Sequence, residues 1–185
     1  WIARIMIVWG FVSMAMVFVV GPWSFYALRV GLGLAEAGFF PGVILYLTYW
    51  IPARERAKTT ALFMMAAPIA LIVGAPASGL LLDMHGWLGL KGWHWLFLIE
   101  GLPAVVLGVM ALTWLTDRPE QATWLAPEER AALSAEMARE RSLRSIHHQS
   151  ALRTLASGKV WLLNLVYFLN TSVTYGIFLW LPSIL

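Results

Sequence analysis

Arg29 and Glu36 stand seven residues apart inside PWSFYALRVGLGLAEAGFFPGVILYLTYW, a stretch otherwise free of charge. An arginine offers a planar fork of donors that matches a carboxylate in two places, and a carboxyl group can take up and release a proton. Seven residues are nearly two turns of α-helix, so both side chains leave one face about 10.5 Å apart along the axis. Gly33 lies between them on that face. A charge at the centre of a membrane-spanning helix costs roughly 2.5 to 3.5 kcal/mol, and such groups usually face a bundle interior or a water-filled cavity on a substrate or proton path. The chemistry expected of the pair is therefore anion capture by Arg29 and proton exchange by Glu36. Desolvation favours the neutral carboxyl of Glu36 unless a cation such as Arg29 offsets it. Both charges also have a packing reading, as polar contacts that hold neighbouring helices together.

A second carboxylate, Glu100 in FLIEGLP, fits a hydrogen bond across helices. Gly74, Pro76 and Gly79 in VGAPASG read as a small-residue helix interface with a proline bend, and Pro41 with Gly42 bends the helix that carries the charge pair. Small residues at 31, 33, 35, 37 and 38 let a neighbouring backbone come close. Tyr175, Phe178 and Trp180 could line a cavity or meet lipid, and Asn164 and Asn170 could bond a substrate or a helix. The sequence has no cysteine, no H-E-x-x-H, no phosphate loop and no serine elbow. His147 and His148 are adjacent, His85 and His94 flank an outer loop, and none has metal-ligand spacing. Neither an enzyme nor a cofactor or metal site is expected.

The elements that must position these residues are membrane helices. A chain that is 60% hydrophobic and 12% charged, with mean hydropathy +0.73, has too little polar surface to cover a soluble domain. Long apolar runs occur at about 3–20, 23–50, 59–82, 93–115 and 160–185, each near the roughly 20 residues a span requires. The fold class is all-α, a polytopic membrane protein. A net charge of +3 and a pI near 9.5 could suggest nucleic acid, but the basic residues flank the hydrophobic runs and instead set orientation.

PARERAKTT, with Arg54, Arg56 and Lys58 against Glu55, is the loop expected to be cytoplasmic, with Arg4 on the same side. That choice makes residues 116–159 a cytoplasmic linker between membrane helices in 1–115 and a further helix in 160–185 of the inner (plasma) membrane. Within the linker, APEERAALSAEMARER begins with proline and acids and ends with arginines, the order that complements a helix dipole. Trp23, Tyr26, Tyr49, Trp50, Trp93, Trp95 and Trp114 sit near span ends, where aromatic side chains favour the headgroup layer. Trp1 and the final LWLPSIL both fall in apolar runs, so the chain reads as a fragment.

Four spans, a charged linker and one more span resemble the major facilitator superfamily from just after its second helix into its seventh, over the whole chain. RVGLGLAEAGFFPG, YWIPARERA, GWHWLFLIEGLPAV and YGIFLWLPSIL resemble the anion:cation symporter family, whose bacterial members import organic anions such as tartrate, phthalate, hexuronates and galactonate. The resemblance implies helices three to seven of a bundle of about twelve, in two six-helix halves. It matches Arg29 and Gly33 to the fourth-helix R-x-x-x-G pattern and Glu36 to a carboxylate implicated in proton coupling. Implied partners are a small organic anion, a proton, the lipid bilayer and the remaining helices. If sugar-acid transporters of this family read hydroxyls with a polar side chain on the next helix, Ala67 in MMAAPIAL favours a less hydroxylated anion. The other reading of the same fold is a receptor or sensor that signals through the linker and transports nothing.

Overall fold

The computed structural model describes residues 1–144 and 156–184. His147, His148 and Arg153 lie outside the described residues, as does the side chain of Phe178. Every regular element among the described residues is helical: α1 (Ile2–Ala15), α2 (Pro22–Glu36), α3 (Phe39–Trp50), α4 (Ala53–Met64), α5 (Ala66–Asp83), α6 (Gly92–Trp114), α7 (Pro127–Arg144) and α8 (Gly158–Ile184), with one-turn 3₁₀ helices at Met16–Phe18, Trp87–Gly89 and Pro119–Gln121. Two compact units emerge, Trp1–Arg141 and Ser142–Leu185.

Four apolar helical stretches are long enough to cross a bilayer, Pro22–Trp50, Ala53–Asp83, Gly92–Trp114 and Gly158–Ile177. The first expected span is a shorter apolar helix, Ile2–Phe18. Two stretches expected as single runs are broken, and proline explains both breaks. Pro41 has no N–H for the carbonyl of residue 37 and its ring crowds that group, so α2 ends at Glu36 and α3 begins at Phe39. Pro68 stands in the same relation to Met64, the last residue of α4. The break at residues 37 and 38 is shallow, since Ala37 and Gly38 both keep right-handed helical angles. The segment PARERAKTT, expected as a loop, is mostly helix: the chain turns at Ile51 and Pro52, and α4 starts at Ala53 with Glu55 in its first turn.

The most extensive packing joins α1 to α6. Ala3, Gly10, Gly101 and Gly108 are buried there, each pair spaced by seven residues along its helix. A Cβ built on Gly10 would stand 2.9 Å from the Gly101 carbonyl oxygen and 2.6 Å from Val105 Cγ2, and one on Gly108 would stand 3.1 Å from the Ala3 carbonyl oxygen. Only the missing side chains let the two backbones approach so closely. On its other side α1 meets the span that carries the charges: Cβ positions on Gly31 and Gly38 lie 3.8 Å from Val12 Cγ1 and 3.0 Å from Ile5 Cδ1. Trp9 and Phe39 pack edge to face at 5.6 Å between ring centres.

A tight corner connects α5 to α6. Gly86 and Gly89 take positive φ, and the Gly86 N–H reaches the Leu90 carbonyl at 2.9 Å. His85 Nδ1 accepts the N–H of Gly92 and His94 Nδ1 accepts that of Lys91, which gives both histidines a capping role at the start of α6.

The start of the linker is anchored to the end of α3 and the beginning of α4. Tyr46 donates to the Thr116 carbonyl at 3.0 Å, the Arg118 guanidinium lies over the Tyr49 ring at 5.4 Å, and Trp50 stacks on Trp124 at 5.7 Å and 10°. Glu140 on α7 accepts the Ala53 N–H at 2.6 Å and pairs with Arg56 at 3.1 Å. The side chains of Arg56 and Glu140 are only 16% and 20% exposed, so this pair is shielded from solvent. Pro119, Ala122 and Met137 are buried in the same stretch of chain.

Candidate functional site: the charged face of the broken span

Gly31 and Gly38 turn one side of the α2 span toward α1, and Arg29, Gly33 and Glu36 take the side facing away. All three are exposed, and a Cβ on Gly33 would meet nothing within 4 Å. Among the described residues, Arg29 and Glu36 form no ion pair with each other and no side-chain hydrogen bond. Arg29 instead lies over the ring of Phe25, 5.1 Å from its centre. That contact follows from i, i+4 spacing on a helix and holds the guanidinium against an aromatic face while leaving its donors free for an incoming carboxylate. Phe25 also packs on Tyr26 at 5.9 Å, and Tyr26 on Trp23 at 6.5 Å, so an aromatic cluster leads into the site.

Glu36 is the final residue of α2, beside the proline-induced break. The sequence points to a bend at Pro41 and Gly42; the structure locates the discontinuity one turn earlier, next to the carboxyl group. The discontinuity is a bend in one span: the Ala37 N–H still reaches the Gly33 carbonyl at 3.0 Å and the Gly42 N–H that of Gly38 at 3.0 Å.

The remaining sequence candidates fall in three other places. Glu100 on α6 accepts a hydrogen bond from Ser78 Oγ on α5, which is the cross-helix contact expected of it, although its partner was not foreseen. Gly74 and Gly79 on α5 have open space where a Cβ would go, and Pro76 lies inside that helix without ending it. Gly33, Gly74 and Gly79 have open space, whereas close contacts between helices occur at Gly10, Gly38, Gly92, Gly101 and Gly108. Tyr175 is exposed on α8 in the second unit.

A cavity of about 910 Å³ lies between the linker-side ends of α1, α3 and α6, lined by Arg4, Tyr46, Tyr49, Asp117 and Arg118 among others. Arg29 and Glu36 are not part of it, because α1 flanks their helix on one side and leaves the charged face unwalled. The linker's electrostatics are local. Glu120 is held below the usual carboxylate range by its own backbone N–H first, and then by Arg141 at 3.1 Å and the nearby Arg118. No group of three or more potential metal ligands occurs among the described residues.

Apolar helices of spanning length, one of them carrying Arg29 and Glu36, together with an anchored polar linker, define a polytopic α-helical membrane protein. The chain belongs to the Major Facilitator Superfamily, whose profile matches residues 1–185. It is 54% identical over 185 residues to an Agrobacterium vitis protein named "Putative tartrate transporter", with all of this chain and 43% of that protein covered. It is 43% identical to the quinolone resistance transporter of Acinetobacter baumannii, covering 100% of this chain and 43% of that protein. It is 42% identical to the inner membrane transport protein RhmT of Escherichia coli K12, covering 99% and 42%. The chain thus spans less than half the length of these curated relatives. No solved structure matches it.

Proposed function

We propose that the full-length protein is a secondary active transporter that carries an organic anion, of the carboxylate class that includes tartrate, in symport with a proton across the bacterial inner membrane. The observation that carries this reading is the uncovered face on which Arg29 and Glu36 stand two turns apart, with the helix ending at Glu36. Similarity to tartrate transporters along the whole chain supports the anion, and the inner-membrane relative supports the location. Arg29 receives a substrate carboxylate through paired hydrogen bonds. Glu36 takes a proton from outside, which cancels one negative charge of the anion-loaded site. Reorientation of two six-helix halves about a midplane site exposes both ligands to the cytoplasm, where Glu36 gives up its proton. Tyr175 contributes to the substrate site from the second half, and the linker lies on the cytoplasmic side.

The test is uptake of labelled tartrate and other dicarboxylates into proteoliposomes holding the full-length protein, under an imposed proton gradient. Glu36→Gln is expected to abolish proton-driven accumulation while leaving some anion exchange. Unchanged pH-dependent accumulation in that variant would overturn the coupling role, and accumulation driven equally by sodium without a proton gradient would overturn the choice of ion.

A further inference from the structure

Glu100 is the one carboxylate within the Gly92–Trp114 span, and the structure gives it a hydroxyl partner rather than a cation. Ser78 Oγ on α5 lies within hydrogen-bond distance of Glu100 Oε1 on α6. The charged and titratable groups on the elements packed against α6 stand well away along their helices. Arg4 on α1 is at the opposite end, beside the Ala3–Gly108 contact; the 3₁₀ turn Met16–Phe18 has none; and Asp83 on α5 comes five residues after Ser78. On α6 itself His94 precedes Glu100 by six residues, and Lys91 lies further back.

We propose that Ser78 and Glu100 form a second proton-binding site, in which protonation of Glu100 switches the hydrogen bond that clasps α5 to α6. The bond balances in both states because a hydroxyl can donate or accept. When Glu100 is a carboxylate, the Ser78 hydroxyl donates to it. When a proton binds, a new O–H bond forms on the carboxyl, its charge goes from −1 to zero, and Ser78 becomes the acceptor or is released. A contact serving only adhesion would be made as well by glutamine, without an ionisable group that is costly to hold in a bilayer.

The location gives the switch something to move. Pro76 precedes Ser78 by two residues and Pro103 follows Glu100 by three, and each lies inside its helix where a backbone hydrogen bond is missing. Both helices are therefore most easily bent next to the clasp. The adjacent Gly101 is pinned against α1, with a Cβ there only 3.1 Å from the Gly10 carbonyl oxygen. On the far side of the clasp the Leu82 backbone of α5 closes on Gly92 of α6, so a change in the bond is taken up by α5 between that contact and the bend at Pro76.

Two measurements on the full-length protein in liposomes test this. The first is a pH-difference infrared spectrum recorded in a Glu36→Gln background: a protonated-carboxyl component should grow on acidification and be lost when Glu100→Gln is added. The second uses spin labels on cysteines introduced at the exposed positions Leu80 and Leu102; this chain has no cysteine, and any elsewhere in the protein would be removed. The distance between them should depend on pH in the parent and in Glu36→Gln, and lose that dependence in Glu100→Gln and in Ser78→Ala. Ser78→Ala should keep the Glu100 band. If Glu100→Gln fails to fold, Glu100→Asp should keep a titrating band while its shorter reach loses the distance response. A spectrum with no band assignable to residue 100, or a distance indifferent to pH in the parent, overturns the proposal. Neither readout depends on uptake, so failure here is distinct from failure of coupling at Glu36.

Discussion

Along α1 and α6, Ala3, Gly10, Gly101 and Gly108 are buried and bring two backbones together, whereas on the far side of α2 Gly33 meets nothing within 4 Å and separates two exposed charges. The same residue type serves opposite ends. In the seam, the absence of a side chain lets helices touch and gain close packing in a medium that offers no hydrophobic drive between them. On the charged face, it leaves room beside Arg29 and Glu36. The comparison separates a closely packed seam from a face that no described element covers, with α1 between them.

The largest expected effect strikes the seam. Gly101→Leu should destabilise the protein by about 3 kcal/mol, near the upper end of what overpacking usually costs, because its Cβ alone would stand 2.7 Å from Met14 Cγ. Gly33→Ala should leave stability unchanged or raise it by up to about 1 kcal/mol through helix propensity. Thermal unfolding of both variants in detergent checks the contrast, and equal losses at the two glycines would erase it.

Arg29→Ala attacks the open face and should reverse that pattern. Folding is expected to survive, while apparent affinity for a dicarboxylate falls about ten- to a hundred-fold, the scale of a lost charge-assisted hydrogen bond of about 1.5 to 3 kcal/mol. Competition binding with the full-length protein measures it. Glu140→Ala should have a smaller effect, about 1 to 2 kcal/mol, and a local one: it removes the acceptor of the Ala53 N–H and the partner of Arg56. Faster amide exchange along α7 with α1 and α6 unchanged would show that the linker docks independently of the seam.

The smallest effect is a titration. Glu120 has its carboxyl held below the ordinary range, so its contribution is complete above the unfolded value and is lost as the pH falls through the lowered one. The carboxyl resonance of labelled Glu120 should titrate below that of a free glutamate, and Arg141→Gln should bring it part of the way back. Because that pair is roughly half exposed, its weight in stability is slight.

The Arg29–Glu36 relationship was legible because helical geometry converts a spacing of seven into a common face without any tertiary information. The prolines were legible as bends, but α2 ends a full turn before Pro41, since the group a proline orphans is the carbonyl four residues earlier. The loop expected at PARERAKTT dissolved into α4 because a positive cluster marks a membrane side and does not specify a turn. Phe25 could have been found from its i, i+4 relation to Arg29. Ser78 could not, since nothing local says which hydroxyl on another helix will face Glu100.

By itself the sequence determined the class of molecule: apolar runs of spanning length, a charged linker and two charges on one helical face, all consequences of composition and of the 3.6-residue period. Only the tertiary structure decided which glycines close a seam and which stand open, that Glu140 reaches back to the start of α4, and that Glu100 meets Ser78. A helix repeat specifies faces, but the neighbour against each face is selected by packing between segments far apart in the chain.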